Sequence, residues 1–222
     1  MPASAGLAYT VRRAPRARSV RVRVEHDGEV VVLLPRRARE RDAQAAVAEL
    51  RPWIERRVAE AERARAAIAR PPGTVPLLGA SLRLVAQDGR TRAHRRGDAL
   101  LVPGDPVAAR AAIERWYRRT ARAEAATRLD AAAGALGVGY ERLSIRDQRT
   151  RWGSCSAEGA IAINWRLLLA PEAILDYVVW HEACHLVVLD HSPRFWALLE
   201  RHRPGYREER RWLRRNGPAL HL

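Results

Sequence analysis

The spacing of hydrophobic positions changes several times along the chain, and each change predicts an element. Val20, Val22 and Val24 alternate with Arg21 and Arg23, and after the turn residues His26-Asp27-Gly28-Glu29 an apolar run covers Val30 to Leu34. A period of two around a glycine turn predicts a hairpin with one half-buried face. From about Arg39 to Ala69 the period lengthens, with Ala43, Val47, Leu50, Ile54, Val58 and Ala61 recurring at three- and four-residue intervals. Such spacing lines one face of a long helix, in which Pro52 marks a break because proline brings no amide to the helical ladder. Arg70-Pro71-Pro72-Gly73 ends it.

Strand patterns return over Leu82 to Val85 and Leu100 to Val102, with turns at Asp88-Gly89 and Gly97-Asp98. Pro103-Gly104-Asp105-Pro106 is the expected domain boundary, dividing a β-rich N-terminal region with its long helix (1–105) from a C-terminal domain (106–222). Helical periodicity then runs from Val107 to about Leu136, carrying Ile113, Trp116, Tyr117 and Leu129, and stops among Gly134, Gly137 and Gly139. Leu143 to Ile145 and Ala160 to Leu167 are expected as strands, and Pro171 opens a further helix. The expected fold class is α+β. No internal repeat and no low-complexity linker interrupts it.

Composition narrows the partners. A chain of 222 residues with 47% hydrophobic and 29% charged residues is globular and long enough for a catalytic domain and a smaller module. The net charge of +15 invites a nucleic-acid partner. However, all 40 basic residues are arginine, spread along the chain and interleaved with acids, as in Arg36 to Asp42 and Arg207 to Arg211. Solvated helix faces produce that distribution, so nucleic acid is a less favoured partner. The first thirty residues lack the apolar core of a secretory signal. The best apolar stretch, Ile174 to Leu189, is interrupted by Asp176, His181, Glu182 and His185, which excludes it as a membrane span. A cytoplasmic location is expected, with Cys155 and Cys184 as free thiols.

The chemistry is concentrated in His181-Glu182-Ala183-Cys184-His185, an H-E-x-x-H pattern flanked by the apolar runs Ile174 to Trp180 and Leu186 to Leu189. On a helix, residues four apart share a face, so two imidazoles can bind one zinc ion while the glutamate reaches the water the ion activates. The competing reading, two core histidines satisfied by hydrogen bonds, leaves a buried charge without a cation. A catalytic zinc site takes a third protein ligand and keeps one position open. His191, six residues beyond His185 where Asp190-His191-Ser192-Pro193 turns the chain, is the leading candidate, with His202, Glu200 and Glu208 as alternatives. The ten-residue offset from His181 to His191 equals that of metzincins, but their midway glycine is Val188 here, so the turn is expected after that residue. Glu182 is expected to act as general base and to return the proton to the leaving group. Arg151, Tyr206 and His202 are candidate donors to the developing oxyanion.

Segments around this pattern carry a resemblance. Arg151-Trp152-Gly153-Ser154-Cys155-Ser156, Ile163 to Leu168, Leu175 to Leu186 and Asp190 to Trp196 together resemble the YgjP-like metallopeptidase family, bacterial relatives of the SprT-like and WLM zincins. The resemblance implies a zincin-like catalytic domain with one Zn2+ held by His181, His185 and His191 and with Glu182 as base. It places Arg151 to Ser156 near the edge strand that zincins use to align an extended peptide, and Arg151, Trp152 and Asn164 are candidate substrate-binding residues. Two departures are visible: Asp190 stands where the family commonly has asparagine, and Ala183 where it has leucine. A peptide or protein substrate is therefore expected. Hydrolysis of a nucleotide phosphoanhydride, or a DNA-associated protease or binding module, are the alternatives; no phosphate-binding loop or zinc-ribbon spacing accompanies them.

Overall fold

The structure is a computed structural model that describes residues 7–25, 27–148 and 150–222. His26, assigned to the first hairpin turn, lies outside the described residues. The chain divides into two compact units, Met1–Ala69 with Arg215–Ala219, and Arg70–Arg214 with Leu220–Leu222. The boundary read from Pro103 to Pro106 falls inside the second unit, where Asp105 caps a helix by accepting the amide of Ala108.

In the first unit, β1 (Thr10–Arg13), β2 (Arg21–Val24) and β3 (Val30–Leu34) form a sheet with β3 in the centre, antiparallel to β2 and parallel to β1. Val22 and Val11 lie opposite Val32, so the alternation seen in the sequence puts one valine face on the core. Val30, Val32 and Leu34 pack there with Ala43, Val47 and Ile54. Those last residues come from α1 (Glu40–Glu49) and α2 (Arg51–Ala67), which replace the one long helix. The break is at Leu50, and Pro52 sits in the first turn of α2, where no amide is required of it. β1 escaped the sequence reading because Val11 is its only aliphatic residue.

The second unit has a four-stranded sheet of β4 (Thr74–Leu77), β5 (Ala80–Gln87), β6 (His94–Arg96) and β7 (Ala99–Pro103) in the order β4-β5-β7-β6. The helix α3 (Pro106–Leu136) follows and ends at Gly137, which takes the left-handed conformation that closes helices. A smaller sheet of β8 (Arg142–Arg146), β9 (Gly153–Cys155) and β10 (Ala160–Asn164) has β10 in the centre, parallel to β8 and antiparallel to β9. The strand expected over Ala160 to Leu167 stops at Asn164. Its side chain accepts the amide of Arg166 and starts a 3-10 turn over Trp165–Leu169. Three helices follow, α4 (Glu172–Cys184), α5 (Pro193–His202) and α6 (Tyr206–Asn216), the last two residues of α6 being assigned to the first unit.

Helix α3 is the spine of this unit. Its buried face runs through Ile113, Trp116, Tyr117, Ala121, Ala125 and Leu129, and it packs on α4. Tyr117 donates its hydroxyl to the Pro76 carbonyl and rests against Trp165, joining α3 to both β4 and the 3-10 turn. The α3–α4 contact is bracketed by Arg128, whose guanidinium meets Glu124 at 2.5 Å, Glu172 at 2.5 Å and Asp176 at 2.7 Å. Its side chain is only 17% exposed, and removing it takes away the cation that three carboxylates share, of which Asp176 also pairs with Arg203. Arg128→Ala is expected to lower unfolding free energy by about 1–3 kcal/mol, whereas Arg57→Ala at an exposed pair changes it by under about 0.5 kcal/mol. Urea titrations of both variants measure the difference.

Candidate metal centre

Helix α4 is apolar on nearly all sides: Ile174, Leu175, Tyr177, Val178, Val179, Ala183 and Cys184 are buried. A helix of that kind belongs inside a fold, and whatever polar groups it carries are taken inside with it. Glu182 is 5% exposed and His185 is 8% exposed. The helix ends at Cys184, earlier than the apolar run to Leu189 implies. From His185 the amides reach back three residues, His185 to Glu182, Leu186 to Ala183 and Val187 to Cys184, which tightens the last turn. Val188 still donates its amide to the Cys184 carbonyl, bends follow at Asp190 and Ser192, and among the described residues of this segment none has a positive φ. A glycine is unnecessary because the turn is built from right-handed conformations.

The reversal carries His191 back over the helix. Its Nε2 lies 3.0 Å from Nε2 of His181 and 3.2 Å from Nε2 of His185. Two ligands at bond lengths of about 2.0–2.1 Å on a tetrahedral zinc ion would stand about 3.3 Å apart, so this spacing fits a shared cation. The tautomer fits as well. His185 Nδ1 lies 3.0 Å from the Val188 carbonyl, which only accepts, so Nδ1 holds the proton and Nε2 offers its lone pair. Phe195, from the first turn of α5 and fully buried, stands against all three rings, stacked on His185 at 4.4 Å and edge-on to His181 at 4.9 Å and to His191 at 4.8 Å. Trp196 stacks on the other side of His191 at 5.4 Å.

The electrostatics keep His181 and His185 neutral, the state that binds metal. Burial, reinforced by His185, His191 and Arg210, pushes His181 down to about 3. His185 is lowered by burial against the opposing pull of the Val188 carbonyl. Burial lifts Glu182 up to about 8, with Arg151 drawing it back. A cation held by the three nitrogens would draw it back further.

The sequence model of the family described as YgjP-like, metallopeptidase domain, matches residues 18–216. The chain belongs to the YgjP-like metallopeptidase family. It is a metal-dependent peptidase by that membership. Among solved structures it is similar to the metallopeptidase zymogen of Pyrococcus abyssi abylysin, at 26% identity over 41% of this chain and 90% of that one. The TM-score of 0.36 is too low for anything to be transferred from it. No curated protein sequence matches the chain.

In this YgjP-like chain the remaining sequence candidates separate by position. His181, His185 and His191 form the potential metal cluster among the described residues. His202 stacks on Trp180, Glu200 pairs with Arg207 and Glu208 with Arg211, so none of the three joins the cluster. Arg151 is exposed and exerts its charge on Glu182. Trp152 is half-buried, and its carbonyl receives the amide of Asn164. Asn164 is 2% exposed, and its side-chain amide donates to the carbonyls of Gln148 at 2.8 Å and Arg151 at 3.2 Å. Its polar atoms thus tie down the loop that carries Arg151 instead of facing a substrate. Tyr206 is buried and stacked on Trp196.

Sequence reasoning assigned no role to Phe195 or Trp196. The signal was present as an aromatic pair in the first turn of a helix just after His191, but only the reversal at His185 shows what it touches. Among the described residues no helix is long and apolar enough to cross a bilayer. Phe195→Ala opens a cavity behind all three rings and is expected to lower stability by about 3–5 kcal/mol. It should also weaken zinc binding by about tenfold or more, measured by competition with a chromogenic chelator.

Proposed function

We propose that this chain is a zinc-dependent peptidase in which His181, His185 and His191 hold one ion and Glu182 serves as general base. The observation that carries the reading is the convergence of three ligand nitrogens, with His191 Nε2 at 3.0 Å and 3.2 Å from those of His181 and His185, around a helix that also carries the buried Glu182. Three neutral nitrogens with an open fourth position are the donor set of catalytic zinc. Zinc held there supplies a Lewis acid and an acidified water.

The protein's own groups do the rest. Glu182, on the helix between two of the ligands, takes a proton from the attacking water and passes it to the leaving amine nitrogen. Strand β9 lies at the edge of its sheet, paired only with β10, and it packs against α4. Its outer edge offers main-chain donors and acceptors to an extended peptide, which presents the scissile bond alongside Glu182. Arg151, at the entrance to that strand, meets the carbonyls or carboxylates of the substrate, with Trp152 as an apolar neighbour. Asn164 contributes at one remove, by holding the Arg151 loop in place.

Purified protein reconstituted with zinc is expected to hold about one ion per chain by elemental analysis, and His191→Ala to hold much less. Content well below one in the wild type would sink the zinc reading. Glu182→Gln should keep its zinc while kcat on a cleaved peptide falls by about 10²–10⁴-fold. Near-normal turnover by that variant would remove Glu182 as the base. Profiling against peptide libraries beside nucleoside triphosphates, with and without DNA, is expected to yield peptide cleavage only. Phosphate release at comparable rates would reassign the substrate class.

A further inference from the structure

Gly153 opens β9 opposite Ile163, and its backbone gives no reason for a glycine, since it is absent from the residues with positive φ. Glycine in a strand weakens it, so an uncompelled glycine there marks a close approach by something else. The neighbour is Glu182. A Cβ built on Gly153 would stand 2.6 Å from Cγ and 2.8 Å from Cδ of Glu182, with Oε1 nearer still. Real side chains do not tolerate such distances. Glu182 is 5% exposed, so moving it aside means repacking its buried surroundings.

We propose that Gly153 is a positioning residue for the Glu182 carboxylate: the space left by its missing side chain is the seat in which that carboxylate is held facing the three histidines. This deepens the peptidase reading and rests on it for the catalytic consequence, though the steric coupling stands apart from it. The edge strand and the metal helix are thereby joined at one atom-sized gap. Any side chain at 153 would turn Glu182 off its rotamer and away from the reacting water, and misplacement of about 1 Å costs on the order of 10²-fold in rate.

The test is a double-mutant cycle in the zinc-loaded full chain, comparing Gly153→Ala in the wild-type background and in Glu182→Ala, which lacks Cγ, Cδ and the oxygens. With Glu182 present, alanine at 153 is expected to lower Tm by about 4 °C or more. In the Glu182→Ala background the same substitution should leave Tm unchanged or raise it, since alanine restricts the unfolded chain more than glycine does. On a cleaved peptide Gly153→Ala should lose about 100-fold or more in kcat with KM within about threefold, at unchanged zinc content. Equal Tm shifts in the two backgrounds, or retained kcat, would overturn the proposal. Should Gly153→Ala fail to fold, recovery of folded protein in the double variant supports the seat and continued failure rejects it. Turnover by Glu182→Gln would instead remove the base assignment and leave the Tm coupling intact, so the two readings fail separately.

Discussion

Three imidazole nitrogens that converge, with His191 Nε2 at 3.0 Å from that of His181 and 3.2 Å from that of His185, make a demand that the surrounding structure has to meet. Each ring must be neutral, correctly protonated and held on a fixed axis, and the charge that the lone pairs favour must come from a cation. Burial meets the first condition by disfavouring the imidazolium forms of His181 and His185. The Val188 carbonyl meets the second by holding the proton on His185 Nδ1. Phe195 and Trp196 meet the third as rigid walls. The short, tight end of α4 serves the same demand, because a helix continuing to Leu189 would carry His191 away from the other two.

Support extends outward from α4 in layers. Arg128 brackets it to α3 through Glu172 and Asp176, and Arg203 adds Asp176 and Glu209 from the other side. The neighbouring sheet meets α4 through β9, where Gly153 leaves space for Glu182. Asn164 ends β10 and at the same time fixes the loop leading into β9, so the two strands share one anchor. A site assembled from separate elements is only as well placed as these joints.

The arginine excess takes on a different meaning in three dimensions. Several of these side chains complete ion pairs within the fold, Arg118, Arg128, Arg166 and Arg203 among them. Asp147 illustrates this: burial raises its pKa, but the Arg166 guanidinium at 2.7 Å, helped by Arg118, prevails and lowers it. Arg118 and Arg166 also lie over the Trp165 ring.

What the sequence determined by itself is what depends on near neighbours. Valine alternation specified the β2–β3 hairpin, helical spacing specified α3, Pro52 marked the break between α1 and α2, and the four-residue separation of His181 and His185 placed two rings on one face. These follow from periods of two and 3.6, which any short segment carries with it. The strands β1, β4, β6 and β9 were not legible, because short strands are stabilised by partners distant in the chain and carry little pattern of their own. Only the tertiary structure decided that the α-helix gives way to a tighter turn at His185, that Phe195 backs all three histidines, that Asn164 serves a loop, and that Gly153 makes room for Glu182 across 29 positions of sequence. Each of these is a contact between elements, and what a side chain meets across such a contact is set by packing, not by its neighbours in the chain.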